Sequence, residues 1–308
     1  MATTQERASR EIQAGPSLDL DAFTSTDWLL LIGTAFTWGS SFVWIEIGLE
    51  SFEPALIALL RIMFGALTLV MFSKARAPVE RADLRIMALL GLLWMAAPFL
   101  LFPIAQQWID SSLAGMINGG VPIFAGVVAA LMLRRLPPAK TLVGIAIGFI
   151  GVVVLSLPAV QESRASALGV ALVVLATAFY GISINIAVPL QKKYGALPVL
   201  LRAQMFALGF TLIPGIIGAT DSSFDWASFG AMIPLGCLGT GLAFVGLTTL
   251  VGRVGAARGS VTIYFLPVIA IALGAIFRDE DIAVISLAGA ALVIAGAFLA
   301  SRTQAARH

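Results

Sequence analysis

Charged or amide side chains set inside long apolar stretches are few in this chain: Glu46, Arg61, Arg202, Gln106, Gln107, Asn118, Asn185 and Gln204, with scattered hydroxyls. A charge at the centre of a lipid-embedded helix costs roughly 2.5–3.5 kcal/mol, so each is a candidate for function or for pairing. Glu46 is the one carboxylate well inside such a stretch, and it is expected either to sense protons and contact a substrate amine or to pair with Arg61. Arg61, ~10 Å inside its helix, and Arg202 could also snorkel to the headgroups. Cys237 is the lone cysteine and His308, the last residue, the lone histidine. Serine–histidine hydrolysis, a His-x-x-x-His zinc site and a Cys-rich metal site are therefore excluded, and no cofactor is expected. The run Asp279-Glu280-Asp281 is expected in a short loop, stabilising the positive N-terminal end of the last helix rather than holding a metal.

Two prolines carry a second kind of chemistry. Pro122 lacks the N–H that would bond the carbonyl of Asn118, and Pro267 likewise frees the carbonyl of Ile263. Freed carbonyls at helix breaks can meet a ligand, and Gly119-Gly120 beside Pro122 permits close approach to backbone. Aromatic side chains gather on the same stretches: Trp38, Trp94, Phe99, Tyr180, Phe244 and Tyr264. With Asn118 and Asn185 to orient a ligand, they would form a mostly apolar pocket with a few polar handles, the usual composition of a small-molecule site. Pro122, Pro267 and Gly119 are the expected flexing points.

The elements that must position these residues are membrane helices. The chain has 308 residues, of which 59% are hydrophobic and 12% charged, with a mean hydropathy of +0.97; soluble domains carry about 25% charged residues. A span needs roughly 20 apolar residues. Apolar stretches place spans near 28–49, 54–73, 85–107, 111–133, 139–157, 168–190, 196–219, 229–251, 257–277 and 283–301. Residues 1–27 read as a polar cytoplasmic tail without order before Trp28. Fifteen of the nineteen Lys and Arg residues fall on the side that would hold both termini, and only Arg164 and Arg278 on the other. That bias predicts cytoplasmic termini and an even number of spans. The basic residues are thus topology signals, and a net charge of +2 gives no reason to expect nucleic acid as a partner.

A shift of 145 residues aligns Gly91 with Gly236, Phe99 with Phe244, Pro122 with Pro267, Gly144 with Gly289, Gly151 with Gly296 and Ser156 with Ser301. A slightly smaller shift pairs Trp38-Gly39 with Tyr180-Gly181 and Leu59-Leu60-Arg61 with Leu200-Leu201-Arg202. The chain therefore reads as a five-span unit, 28–157, followed by a second copy, 168–302. Because five is odd, the copies would cross the membrane in opposite senses, a recurring arrangement in secondary transporters.

The segment Ala35-Phe36-Thr37-Trp38-Gly39-Ser40-Ser41, the Leu60-Arg61 pair, the Pro122 and Pro267 helices, and Glu280 followed by Leu287-Ala288-Gly289 and Ile294-Ala295-Gly296 resemble the EamA-type drug/metabolite transporter superfamily over about residues 28–302. Arg135 stands where the repeat would place a partner of Glu280. The resemblance implies an all-α integral membrane fold of ten helices in two inverted five-helix repeats. Its central path would be walled by the first, third, fourth, sixth, eighth and ninth helices. The fifth and tenth would pack peripherally through Gly144-x-x-x-Gly148 and the run 288–291. The implied activity is export of small metabolites, amino acids with aromatic or neutral hydrophobic side chains first, across a bacterial inner membrane by alternating access. Drug-like or nucleobase-type compounds are the alternative cargo and a channel the alternative class. The expected partners are substrate and lipid bilayer, the expected state a monomer or weak dimer.

Overall fold

The computed structural model of the chain describes residues 23–134, 138–162, 164–254, 259 and 261–302, and Thr24 sets the start of its first helix. Helix α1 (Ser25–Gly39) is opened by a reciprocal cap: the Asp27 N–H donates to the Thr24 hydroxyl at 3.3 Å, and the Thr24 N–H donates to the Asp27 carboxylate at 3.0 Å. Phe23 and Thr24, ahead of Trp28, are already part of the described fold, and Asp27, expected in the tail, is buried against Arg253 at 2.5 Å. The rest of the tail, together with Arg135, lies outside the described residues.

After α1 come α2 (Ser41–Leu49) and α3 (Pro54–Val70), then short 3-10 turns at Ser73–Arg76 and Arg81–Asp83. Next are α4 (Leu84–Leu90), a π-helical segment (Gly91–Ala96), α5 (Ala97–Ala105), α6 (Ser111–Asn118), α7 (Val121–Leu133) and α8 (Ala139–Glu162). The chain continues with α9 (Arg164–Tyr194), α10 (Ala196–Asp221), α11 (Trp226–Ile233), a second π-helical segment (Pro234–Leu242) and α12 (Ala243–Val254). It closes with α13 (Val261–Tyr264), α14 (Leu266–Phe277) and α15 (Val284–Arg302). Among the described residues there is no strand.

This is an all-α membrane protein. Among the described residues, seven helical stretches are long and apolar enough to cross a bilayer: Ser25–Leu49, Arg81–Ala105, Ser111–Met132, Ala139–Gln161, Ser166–Tyr194, Ala196–Asp221 and Trp226–Val254. The other three expected spans fall on shorter apolar helices, Pro54–Val70, Val261–Phe277 and Val284–Leu299. Large apolar side chains such as Leu29, Ile213, Ile276 and Val284 point outward, which is favourable in lipid and would be a liability in water.

Helices α8 and α15 pack backbone to backbone. A Cβ added at Gly296 would overlap the main chain of Gly148, and one at Gly151 would sit 2.6 Å from the Val293 nitrogen. The glycines noted in the sequence therefore serve packing inside the bundle, where small residues let helices approach without a hydrophobic drive. The Ser286 hydroxyl adds a bond to the Leu155 carbonyl at 3.0 Å.

Glu280 corrects one expectation. Its carboxylate accepts from the backbone N–H groups of Ser111 and Ser112, each at 3.0 Å, and from the Ser111 hydroxyl. The acidic loop therefore caps α6 rather than α15, because the tertiary fold brings the free N–H groups of α6 beneath residue 280. Glu280→Ala is expected to lower stability by roughly 0.5–2 kcal/mol, the range for losing a helix cap. The apparent melting temperature in detergent should fall for this variant and stay put for Asp281→Ala, at the exposed neighbouring position.

Candidate functional site

The two expected proline breaks are present, and they touch. Helix α6 ends at Asn118 and α7 restarts at Val121, with Pro122 in its first turn. Likewise α13 ends at Tyr264 and α14 restarts at Leu266, with Pro267 in its first turn. The prolines therefore sit at new helix starts, where a missing N–H costs nothing, instead of kinking a continuous helix. A Cβ on Gly119 would overlap the Pro267 ring, so the two breaks cross at a point that only glycine fits.

Beside this crossing lies an apolar cavity of about 170 Å³. Trp38, Trp94, Phe99, Phe102, Tyr180 and Phe244 line it with Ser41, Phe42 and Asn118, and Val121, Ile184, Leu247, Ile263 and Leu266 complete the apolar lining. The rings are fitted edge to face: Trp38 against Phe244 at 5.2 Å and Trp94 against Phe244 at 5.9 Å between centroids. Tyr180 lies at 5.9 Å from Phe102, which meets Phe42 at 5.5 Å. The Trp38 indole N–H donates to the Gly239 carbonyl at 2.9 Å, fixing the ring. Asn118 is buried, and its side-chain oxygen has no hydrogen-bond partner.

Arg61 is the one charged side chain among the lining residues, and its place was not foreseen. It is 6% exposed, seven residues after Pro54 and nine before Val70, and so does not snorkel. Its guanidinium carbon stands 3.7 Å from the Phe99 ring centroid, and Nε donates to the Thr240 hydroxyl at 2.9 Å. Thr240 is held in turn: its hydroxyl donates to the Leu235 carbonyl at 3.2 Å, and its own carbonyl accepts from the Gln204 amide at 2.7 Å. The five-residue reach from Thr240 to Leu235 is the π-helical spacing, so the second π segment positions the hydroxyl that orients Arg61. The first π segment begins at Gly91, the position equivalent to Gly236 within the second, and carries Trp94 into the cavity.

Glu46 does not pair with Arg61. Its Oε1 accepts from Arg278 Nε at 2.9 Å, and Glu50 takes the same guanidinium at 2.7 Å. The α2 helix turns Glu46 toward the end of α14, away from α3, while one Glu46 oxygen stays buried and unpaired. Two other expected ligand contacts point elsewhere. Asn185 donates to the carbonyls of Ala125 at 3.0 Å and Gly181 at 2.9 Å, stapling α9 to α7. The Tyr264 hydroxyl donates to the Ala297 carbonyl at 3.3 Å and its ring meets Phe298, so it braces α15. Arg202 binds the connection after α3, donating to the carbonyls of Ala75 at 2.6 Å and Ala77 at 2.9 Å.

Ionic contacts flank the cavity at both ends. At the Leu49 end Arg278 holds Glu46 and Glu50. At the Ser25 end Arg253 holds Asp27, and Lys193 lies 2.9 Å from both Glu80 and Asp83. Each joins a residue before position 157 to one after 168, so the halves are tied at both ends of the bundle.

Residues 27–157 and 167–302 each match the profile of the EamA-like transporter family. Full-length relatives are similar as well. An uncharacterized transporter of Archaeoglobus fulgidus is 26% identical over 90% of this chain and 99% of its own. A probable terminal-alkyne amino-acid exporter of Streptantibioticus cattleyicolor is 27% identical over 91% of this chain and 95% of its own. A probable amino-acid metabolite efflux pump of Salmonella typhimurium is 26% identical over 89% and 94%. A crystal structure covering 92% of this chain and 99% of that one superposes with a TM-score of 0.60 at 17% identity, which establishes a shared fold.

Proposed function

Because the chain belongs to the EamA-like transporter family, we propose that it exports small metabolites, amino acids with aromatic or neutral hydrophobic side chains first, across a bacterial inner membrane. The observation that carries this reading is the aromatic-walled cavity at the crossing of the two helix breaks. Corresponding broken helices in two halves are the best sequence pointer to a transporter's binding site. At about 170 Å³ the cavity is smaller than the roughly 300–1,000 Å³ of pockets for drug-sized ligands, which favours a metabolite over a drug. The amino-acid cargoes in the names of two relatives point the same way.

On this reading the chain has ten spans in two inverted five-helix units, 28–157 and 168–302, with both termini in the cytoplasm. The twofold match of the family profile and the charge bias along the sequence support it. Alternating access then requires the contacts at one end to open while those at the other hold: Glu46 and Glu50 with Arg278, or Asp27 with Arg253 and Lys193 with Asp83. Lys193 with Glu80 is exposed and worth at most about 1 kcal/mol, whereas Asp27 with Arg253 and Glu46 with Arg278 are more enclosed and hold more firmly.

Counterflow in proteoliposomes tests the proposal. Labelled tryptophan or phenylalanine is expected to accumulate transiently against unlabelled substrate inside and to saturate. Flux without trans-stimulation would assign the protein to channels; exchange of drug-like compounds with no response to any amino acid would replace the cargo and leave the carrier.

A further inference from the structure

We infer that the cavity recognises its substrate through a carboxylate group held by Arg61, an inference that deepens the export reading and rests on it. Arg61 stands near the middle of α3, is buried, and lines the cavity as its one charged residue. Among the described residues no carboxylate lies within 4.0 Å of it, whereas Arg253 has one and Arg278 two. Arg202, its counterpart in the repeat, is supplied with backbone carbonyls. The Nε bond to Thr240 and the face of Phe99 fix the guanidinium plane but supply no negative charge. The two terminal amino groups have no hydrogen-bond partner among the described residues.

A cation desolvated at membrane depth without a counter-charge is costly, and truncating a partner of such a charge is costly for the same reason. The arrangement is stable once an entering anion completes it. A planar guanidinium with one edge already engaged offers its terminal N–H groups as a fork, the geometry that a carboxylate accepts two-pronged. Asn118, on the same cavity, contributes a buried acceptor oxygen with no donor, which suits an ammonium or amide N–H on the ligand. With one positive charge and no acid on its wall, the cavity should accept zwitterions and monoanions and reject amines and esters of the same shape. The aromatic wall then reads the side chain and Arg61 the acid.

The test is competition against the exchange of the best labelled substrate by intact protein in liposomes. Tryptophan and leucine are each compared with their methyl ester, their amide and the corresponding decarboxylated amine. A hydrogen bond to a charged group is worth about 1.5–3 kcal/mol, so each acid is expected to compete at least about 10-fold better than its three derivatives. In Arg61→Gln that preference should vanish, and Arg61→Lys should restore part of it. Ester or amine competing as well as the parent acid in the wild-type protein overturns the role of Arg61 while leaving the carrier standing. A leucine series that outcompetes the tryptophan series removes the aromatic preference and leaves the carboxylate rule. If neither series competes, both readings fall. The wild-type comparison decides the matter even where Arg61→Gln fails to fold.

Discussion

Alanine in place of Trp38 is expected to reduce the efficiency of exchange by at least about tenfold, the largest functional loss among single substitutions at the aromatic wall. The indole makes three contributions at once. Its ring closes one side of the cavity, its edge sets Phe244 against Trp94, and its N–H satisfies the Gly239 carbonyl inside the second π segment. Removing it enlarges a site of about 170 Å³, leaves a carbonyl without its donor, and frees the ring that holds Trp94. Trp38→Phe separates the parts: it keeps a ring but loses the hydrogen bond, worth about 1 kcal/mol, and should retain most of the exchange. The check is the concentration dependence of counterflow for the three proteins at matched reconstitution. Equal kinetics for Trp38→Ala and wild type would mean that ligand does not pass this wall.

The largest loss of stability is expected from one methyl group at Gly296. A Cβ there would overlap the Gly148 backbone and lie 2.6 Å from the Gly144 carbonyl oxygen, and main chain in a helix cannot step aside. Gly296→Ala should therefore push α15 away from α8 and cost about 1–3 kcal/mol or more, as overpacking does in well-packed interiors. Gly209→Ala is the matched control, since nothing lies within 4 Å of a Cβ at that position. Helix propensity alone favours alanine over glycine by up to about 1 kcal/mol, so the two variants should shift in opposite directions. Size-exclusion profiles and melting temperatures in one detergent would read the difference. A Gly296→Ala protein as stable as wild type would mean that the α8–α15 seam leaves room for a Cβ beside the Gly144 carbonyl.

The contrast between Trp38 and Asn185 marks how far residue types alone reach. Both were expected at the ligand, Trp38 from its pairing with Tyr180 in the repeat and Asn185 from its polarity at membrane depth. Trp38 and Tyr180 do line the cavity, but Asn185 spends both donor hydrogens on carbonyls of α7 and α9. A buried amide satisfies itself on the nearest free acceptor, and which acceptor is nearest depends on helix rotation. Arg61 erred in the other direction. Its sequence position allowed snorkelling or a pair with Glu46, yet Thr240 and Phe99, far along the chain, hold it inward. The clue available in the sequence was its depth, near the middle of a helix with no acid one turn away.

What the sequence determined by itself was the solvent of the fold: helices in lipid, where they begin and end to within a few residues, and a register of 145 residues linking Pro122 to Pro267 and Phe99 to Phe244. Those properties follow from each segment's own transfer free energy and from the repetition of residue types, and both are local. The tertiary structure alone decided which face of each helix meets the cavity, that Arg278 and not Arg61 holds Glu46, and that Glu280 caps α6. In water the apolar stripe of a helix announces its buried side. In a bilayer the lipid-facing and bundle-facing sides are both apolar, so that stripe is lost, and the rotation of each helix is fixed only by the close contacts its neighbours permit.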